Sequence, residues 1–225
     1  MTPIPINTPL HLLSLQYAEA TYRHMLARGD RFATGPGEKN LIYLEGMSPD
    51  FTLNPDLPDG WNDLRCVMEF GDLFMPRFSH VARATCEPGI SATYSKSALR
   101  NGGVARLQLK QYREACMMGF HKSRVDHPAL VQAGEILVHR DANRDMKRTG
   151  DPIRPAYGIN HHGAKQGFKG RYVGEWSQGC CVGWNWEQHI EFINLMKQDP
   201  RYVANPAFRW DFALVDAGKL KIETV

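Results

Sequence analysis

Apolar positions recur at three- and four-residue steps in only two stretches of this chain. Leu12, Leu15, Ala18, Tyr22, Met25 and Leu26, closed by Gly29-Asp30, predict a helix over residues 10–28. Ile190, Ile193 and Met196, with Phe192 beside them, predict a second over 186–198. Asn185 stands at its N-cap, Gln188 three positions on completes a capping-box arrangement, and Asp199-Pro200 stops it. His189 falls inside that helix as a surface or packed residue. Elsewhere the period shortens. Apolar or alternating runs at 40–44, 64–70, 104–109, 112–120 and 129–138 are separated by Gly, Pro, Asn and Asp clusters such as 48–63 and 100–103. They read as strands of an antiparallel, sheet-dominated core. Ala156–Ile159 is a further strand-like run. The pattern predicts a mainly β fold with peripheral helices (α+β), one domain over residues 1–225, since no repeat or linker divides it.

Composition narrows the function classes. Hydrophobic residues make up 43% and charged residues 23%, ordinary for a folded domain. No apolar run is long enough for a membrane span. Met1–Pro9 is Pro-rich, with neither a basic start nor an apolar signal core, so no secretory signal is expected and location stays open. The 27 basic and 24 acidic residues give a net charge of +3, and the basic ones are scattered, which argues against nucleic acid. The five cysteines are odd in number and include no Cys-x-x-Cys pair, against a disulfide framework. Cys66 and Cys116 read as buried small hydrophobes, Cys86 as a strand-end residue and Cys181 as a packing residue.

Cys180 stands apart. It follows Trp176-Ser177-Gln178-Gly179, where Gly179 permits a tight turn and Ser177 can hold that turn through its hydroxyl. Such a turn can direct backbone N–H groups toward an oxyanion. A thiol with a histidine base in reach is a nucleophile, and Asn160-His161-His162-Gly163 supplies two imidazoles.

These residues resemble the signature of the L,D-transpeptidase catalytic domain. That signature is a histidine, a spacer of about 14 to 17 residues, then Ser or Thr, His, Gly and Cys. Here 14 residues separate His162 from Ser177, and the match covers roughly 156–183. His161 also fits the window, but His162 is preferred as the base because Gly163 follows it. The resemblance implies an L,D-transpeptidase-like fold. It also implies that Cys180 attacks a carbonyl of a peptidoglycan stem peptide while His162 takes the thiol proton, giving a thioester acyl-enzyme. Ser177 and Gly179 would shape the catalytic turn, and Gln178, His161, Gly163 and Trp176 would border the substrate. An amine acceptor gives transpeptidation, and water gives carboxypeptidase or endopeptidase activity; such an enzyme acts at the cell wall, on a peptidoglycan or peptide partner. Oligomeric state is not legible.

Two positions depart from the family: Gln178 replaces its usual His, and Val182 stands where Asn or Arg is usual. These departures keep a second class open, a non-catalytic cell-wall or virion-associated module. A third class is a zinc site of His161, His162, Cys180 and Cys181, opposed by the alternation that sends adjacent strand residues to opposite faces. No organic cofactor is implied. Asp141, Asn143 and Asp145 have the spacing with which calcium loops begin. Met146 replaces the expected Gly, Asp151 stands eleventh, and Arg140, Arg144, Lys147 and Arg148 would oppose a cation, so the stretch is read as a polar Asx-rich turn before a calcium site. Asp50, Asn54, Asp56, Asp59 and Asp63 read as a surface loop between two strands.

Overall fold

The computed structural model describes residues 9–222; the Pro-rich start, 1–8, lies outside them, as does 223–225. Helix α1 (Leu10–Ala27) is followed by β1 (Asn40–Glu45), β2 (Asp63–Phe70) and β3 (Pro76–Thr85). Short helices α2 (Ile90–Thr93) and α3 (Lys96–Arg100) lead to β4 (Val104–Leu107), β5 (Gln111–Phe120), β6 (Pro128–Gln132) and β7 (Ile136–Asp141). Then come β8 (Ile153–Ala156), β9 (His161–Gly163), β10 (Cys181–Gly183), α4 (Trp186–Met196), α5 (Pro200–Ala204) and β11 (Arg209–Asp216). The fold is sheet-dominated with peripheral helices, as expected.

Eight strands close into a barrel in the order β1-β11-β5-β6-β9-β10-β3-β2, and β4-β7-β8 form a small second sheet. Two pairings, β1 with β11 and β9 with β10, are parallel, so the core is mixed rather than antiparallel. The expected run 129–138 divides at Ala133-Gly134, giving β6 to the barrel and β7 to the small sheet. The strand-like run 156–159 is a crossover instead: β8 ends at Ala156, and the Ile159 N–H is held by Gln132 Oε1 at 3.0 Å.

Alternation along β1 shows how the layers form. Leu41 and Tyr43 join the interior cluster with Val67, Phe212 and Leu214, whereas Ile42 and Leu44 face outward to Cys66, Met68 and Val215 beneath α1. Helix α1 uses Tyr17, Ala18, Ala20, Thr21 and Met25 for that contact. Leu12, Leu15 and Leu26 of the predicted stripe are exposed instead, because the helix is rotated to lay its small residues against the sheet. Helix α4 packs on β3, β6, β9 and β10, capped by Asn185, whose Oδ1 accepts the Gln188 N–H at 2.8 Å. Helix α4 ends before Asp199-Pro200, as expected, and Asp199 then caps α5. Among the described residues, no helix is long and apolar enough to cross a membrane.

Candidate active site

Strands β9 and β10 lie parallel with Cys181 opposite His161 and Val182 opposite His162. Alternation therefore divides the two His–Cys sets between the two faces of the barrel wall. His161 and Cys181 point inward and are wholly buried. His162 and the half-buried Cys180 lie on the outer side, where a ring nitrogen of His162, one of His121 and Cys180 Sγ all fall within 4.8 Å of one another. His161 is thus not a cleft residue, which corrects the expectation that it borders substrate. The four-residue zinc set is likewise split; the residues that could hold a soft cation together are His121, His162 and Cys180.

Hydrogen bonds fix the tautomer of each imidazole around this point. His162 Nδ1 donates to the Gly163 carbonyl at 2.9 Å, which leaves Nε2 as the bare acceptor; it has no hydrogen-bond partner although the residue is buried. The same carbonyl accepts His127 Nε2 at 3.0 Å. Asn160 Nδ2 donates to His121 Nδ1 at 3.2 Å, so His121 carries its proton on Nε2, and its ring stacks on His162 with centroids 3.8 Å apart. Arg65 braces this segment: its guanidinium donates to the His162 carbonyl and to His189 Nδ1, both at 3.0 Å. His189, expected on the surface or packed, is buried and donates to the Pro128 carbonyl at 2.8 Å. A Cβ on Gly163 would stand 2.8 Å from the His189 ring, so only glycine fits after the base.

The Ser177–Cys180 turn is equally constrained. Ser177 Oγ accepts the Gly179 N–H at 3.0 Å and donates to the Cys180 carbonyl at 2.8 Å. Gly179 has φ +138°, and a Cβ there would lie 2.6 Å from Ala105 Cβ. The exposed Gln178 gives its carbonyl to the Ala105 N–H at 3.0 Å, tying the turn to β4. The preceding loop is anchored by Asp59, whose Oδ1 accepts the N–H of Gly174 at 2.6 Å and of Ile90 at 3.0 Å. Asp59 and Asp63 are buried structural residues, not parts of a surface loop; Asp63 accepts the N–H groups of Gly46 and Cys86. Val182 is buried among Trp61, Ala164 and Val173, with Phe168, Trp176 and Trp184 packed around them, so the position where the resembled family has a polar residue is here part of an apolar wall.

Burial dominates the electrostatics. It pushes the Cys180 thiol up to about 11, partly opposed by the Asn160 backbone, and the thiol donates to the Gly158 carbonyl at 3.4 Å. Burial, with His121 beside it, holds His162 well below the ordinary histidine range, and burial brings His121 down to about 4. The resting pair is therefore neutral thiol and neutral imidazole. Two clefts lie close by, one reaching His162 and the other Gly158. One, of about 350 Å³, is lined by His121, Lys122, His127, His162, Glu175 and Trp176 among others. The other, of about 450 Å³, is lined by Gln132, Glu135, Tyr157, Gly158 and Asn160 among others.

Inside the barrel a second thiol constellation was missed in the sequence. Cys181 Sγ lies 3.2 Å from Cys86 Sγ; Tyr43 Oη bonds His161 Nδ1 at 3.0 Å and accepts Arg65 Nε at 3.0 Å. Burial raises the Cys181 thiol, but Cys86, His161 and Arg65 outweigh it and leave it lowered. His121, His127 and Arg65 were also missed. Their only sequence signal is the His121–His127 spacing across a strand end and an arginine inside an apolar strand. Comparison of the chain with protein-family models and with curated proteins gave no match.

Proposed function

We propose that the protein is a cysteine acyl-transfer enzyme acting on peptidoglycan stem peptides, with Cys180 as nucleophile and His162 as base. Two observations carry this reading: a ring nitrogen of His162 clusters with Cys180 Sγ, and the buried Nε2 of that ring is left bare because Nδ1 donates to the Gly163 carbonyl. A pair that is neutral at rest works by general-base catalysis: Nε2 takes the thiol proton as sulfur bonds the substrate carbonyl carbon. The C–N bond then breaks, His162 returns the proton to the leaving amine, and a thioester remains. An acceptor amine or water next gives its proton to His162 and attacks the thioester. The C–S bond breaks, and Cys180 recovers its proton. The His121 Nε2–H, and backbone N–H groups of the Gly179–Cys180 turn, are the candidates to hold the oxyanion. The cleft beside His162 and the cleft beside Gly158, whose carbonyl the thiol meets, suit an acyl donor and an acceptor.

The peptidoglycan assignment rests on the resemblance of the His162-Gly163 and Ser177–Cys180 motifs. Incubating the protein with purified muropeptides and following the products by mass spectrometry tests it. Cleavage or exchange that disappears in Cys180→Ala is expected. Muropeptides unchanged by the untreated wild-type protein, when a separate sample of the same preparation is acylated by a carbapenem, would overturn the substrate. No acylation at all would favour the non-catalytic module.

A further inference from the structure

The loop between β7 and β8 holds a polar cluster that the thiol chemistry does not use. Asp141 ends β7 and is wholly buried. Its Oδ2 accepts Arg106 Nε at 3.3 Å and the Met146 N–H at 3.1 Å, while Oδ1 has no hydrogen-bond partner. Asp151, at the far end of the loop, also has a buried oxygen, Oδ2, without a partner. One carboxylate oxygen each from Asp141, Asp145 and Asp151 lies within 4.8 Å of the others. Bare buried carboxylate oxygens are costly, and three like charges together compound the cost.

The basic residues interleaved with these aspartates are engaged elsewhere. Arg148 reaches Glu45 Oε1 at 2.5 Å, and Arg144 lies over the Tyr94 ring at 5.6 Å. Arg140 donates to the Gly103 and Pro155 carbonyls, and the Lys147 side chain is exposed. Arg106 is shared with Glu87 Oε1 at 2.7 Å. His139 is the remaining basic group that faces Asp151.

We propose that Asp141, Asp145 and Asp151 bind one calcium ion. Three carboxylates with no imidazole or thiolate among them suit a hard cation, and the flexible coordination of calcium, at 2.3–2.6 Å, tolerates oxygens up to about 5 Å apart, whereas magnesium demands a near-ideal octahedron. Each Asp145 oxygen accepts a single hydrogen bond, from Lys147 N–H at 2.9 Å and Asn143 Nδ2 at 3.1 Å, and keeps a lone pair. Asn143 therefore orients Asp145 and is not a ligand; the ligand set differs from the Asp141, Asn143, Asp145 set expected from spacing. The bound ion would stiffen the small sheet behind the nucleophile turn, because the Asp141 carbonyl packs against Gly103 at the entry to β4. The inference is independent of the acyl-transfer reading.

Thermal unfolding of the full chain in EDTA and in millimolar calcium chloride tests it. Calcium is expected to raise the midpoint by about 3 to 8 °C, with a smaller rise in equal magnesium. Asp145→Asn and Asp151→Asn, which spare the Asp141–Arg106 pair, should keep the native circular dichroism and lose the rise. In EDTA, Asp151→Asn should be at least as stable as the parent, since one of three repelling charges is gone. No calcium response in the parent, a response kept by both variants, or one matched by sodium chloride at equal ionic strength would overturn the site.

Discussion

At the scale of single residues, the neighbouring thiols Cys180 and Cys181 have opposite environments. Cys180 is a half-buried neutral thiol beside a neutral base, and Cys181 is enclosed with Cys86 and His161. Carbapenem acylation, read by intact-protein mass spectrometry, should be lost in Cys180→Ser and kept in Cys181→Ser; the reverse pattern would move the chemistry inside the barrel. The thiol near 11 also sets a pH signature. Simple alkylation by iodoacetamide should speed up about tenfold per pH unit between pH 7 and 9, following the thiolate fraction. A rate already level at pH 7 would mean a preformed thiolate–imidazolium pair. His121→Ala removes the ring stacked on His162 and the Nε2–H in the cleft. Turnover should fall on the order of 10² to 10³, the range for loss of one oxyanion donor, while iodoacetamide labelling changes little.

At the scale of elements, the nucleophile turn is where sequence and tertiary contact meet. Gly179→Ala would force a side chain onto Ala105 at a φ that disfavours one. We expect it to cost about 2 to 4 kcal/mol in urea unfolding, from strain and overpacking. The role of Gly179 in a tight turn was readable from one glycine before a cysteine; its contact with β4 was not, since β4 is remote in the chain. Both long helices were legible from their period, but the buried face of α1 was not, because it rests on Ala18 and Ala20 rather than on the exposed Leu12 and Leu15. Strand β3 escaped notice because it begins at a proline and a register shift between Phe78 and His80 breaks its alternation. In β11 a register shift between Trp210 and Phe212 breaks the two-residue rhythm. The His162–Cys180 spacing could be read directly, whereas His121 and Arg65 arrive through barrel closure, which local pattern does not encode.

At the scale of the whole molecule, buried titratable groups pull stability in opposite directions with pH. Burial, then Glu45, raises the Asp56 carboxyl from 3.8 to about 6, and burial raises Glu87 from 4.5 to about 7. Between those values the folded state binds more protons than the unfolded one, so these groups lose stability as pH rises. Burial lowers His80 and His121 from 6.5 to about 4, and lowers His162 and His189 well below 6.5. There the unfolded state binds more protons, and stability grows as pH rises to the ordinary histidine value. The histidines outnumber these two carboxyls below that value; above it Glu87 still lowers stability as far as about pH 7, while Cys181, brought from 9.0 to about 6, raises it as pH climbs. The thermal midpoint should therefore climb between about pH 4 and 6.5; a midpoint that falls across that range would contradict this balance.

The parallel pairing of β1 with β11 joins strands from opposite ends of the described chain. Until β11 is placed, β1 and β5 each present an open edge, and the wall carrying His162 and Cys180 has no closed ring to brace it. Such non-local closure is slow. During synthesis the ribosome would release both reactive residues well before the strand that organises them, so reactivity becomes a clock for the last event of folding. In refolding from urea, Trp210 fluorescence and carbapenem labelling should appear with one shared rate constant, and labelling that runs ahead would show the site forming without the ring.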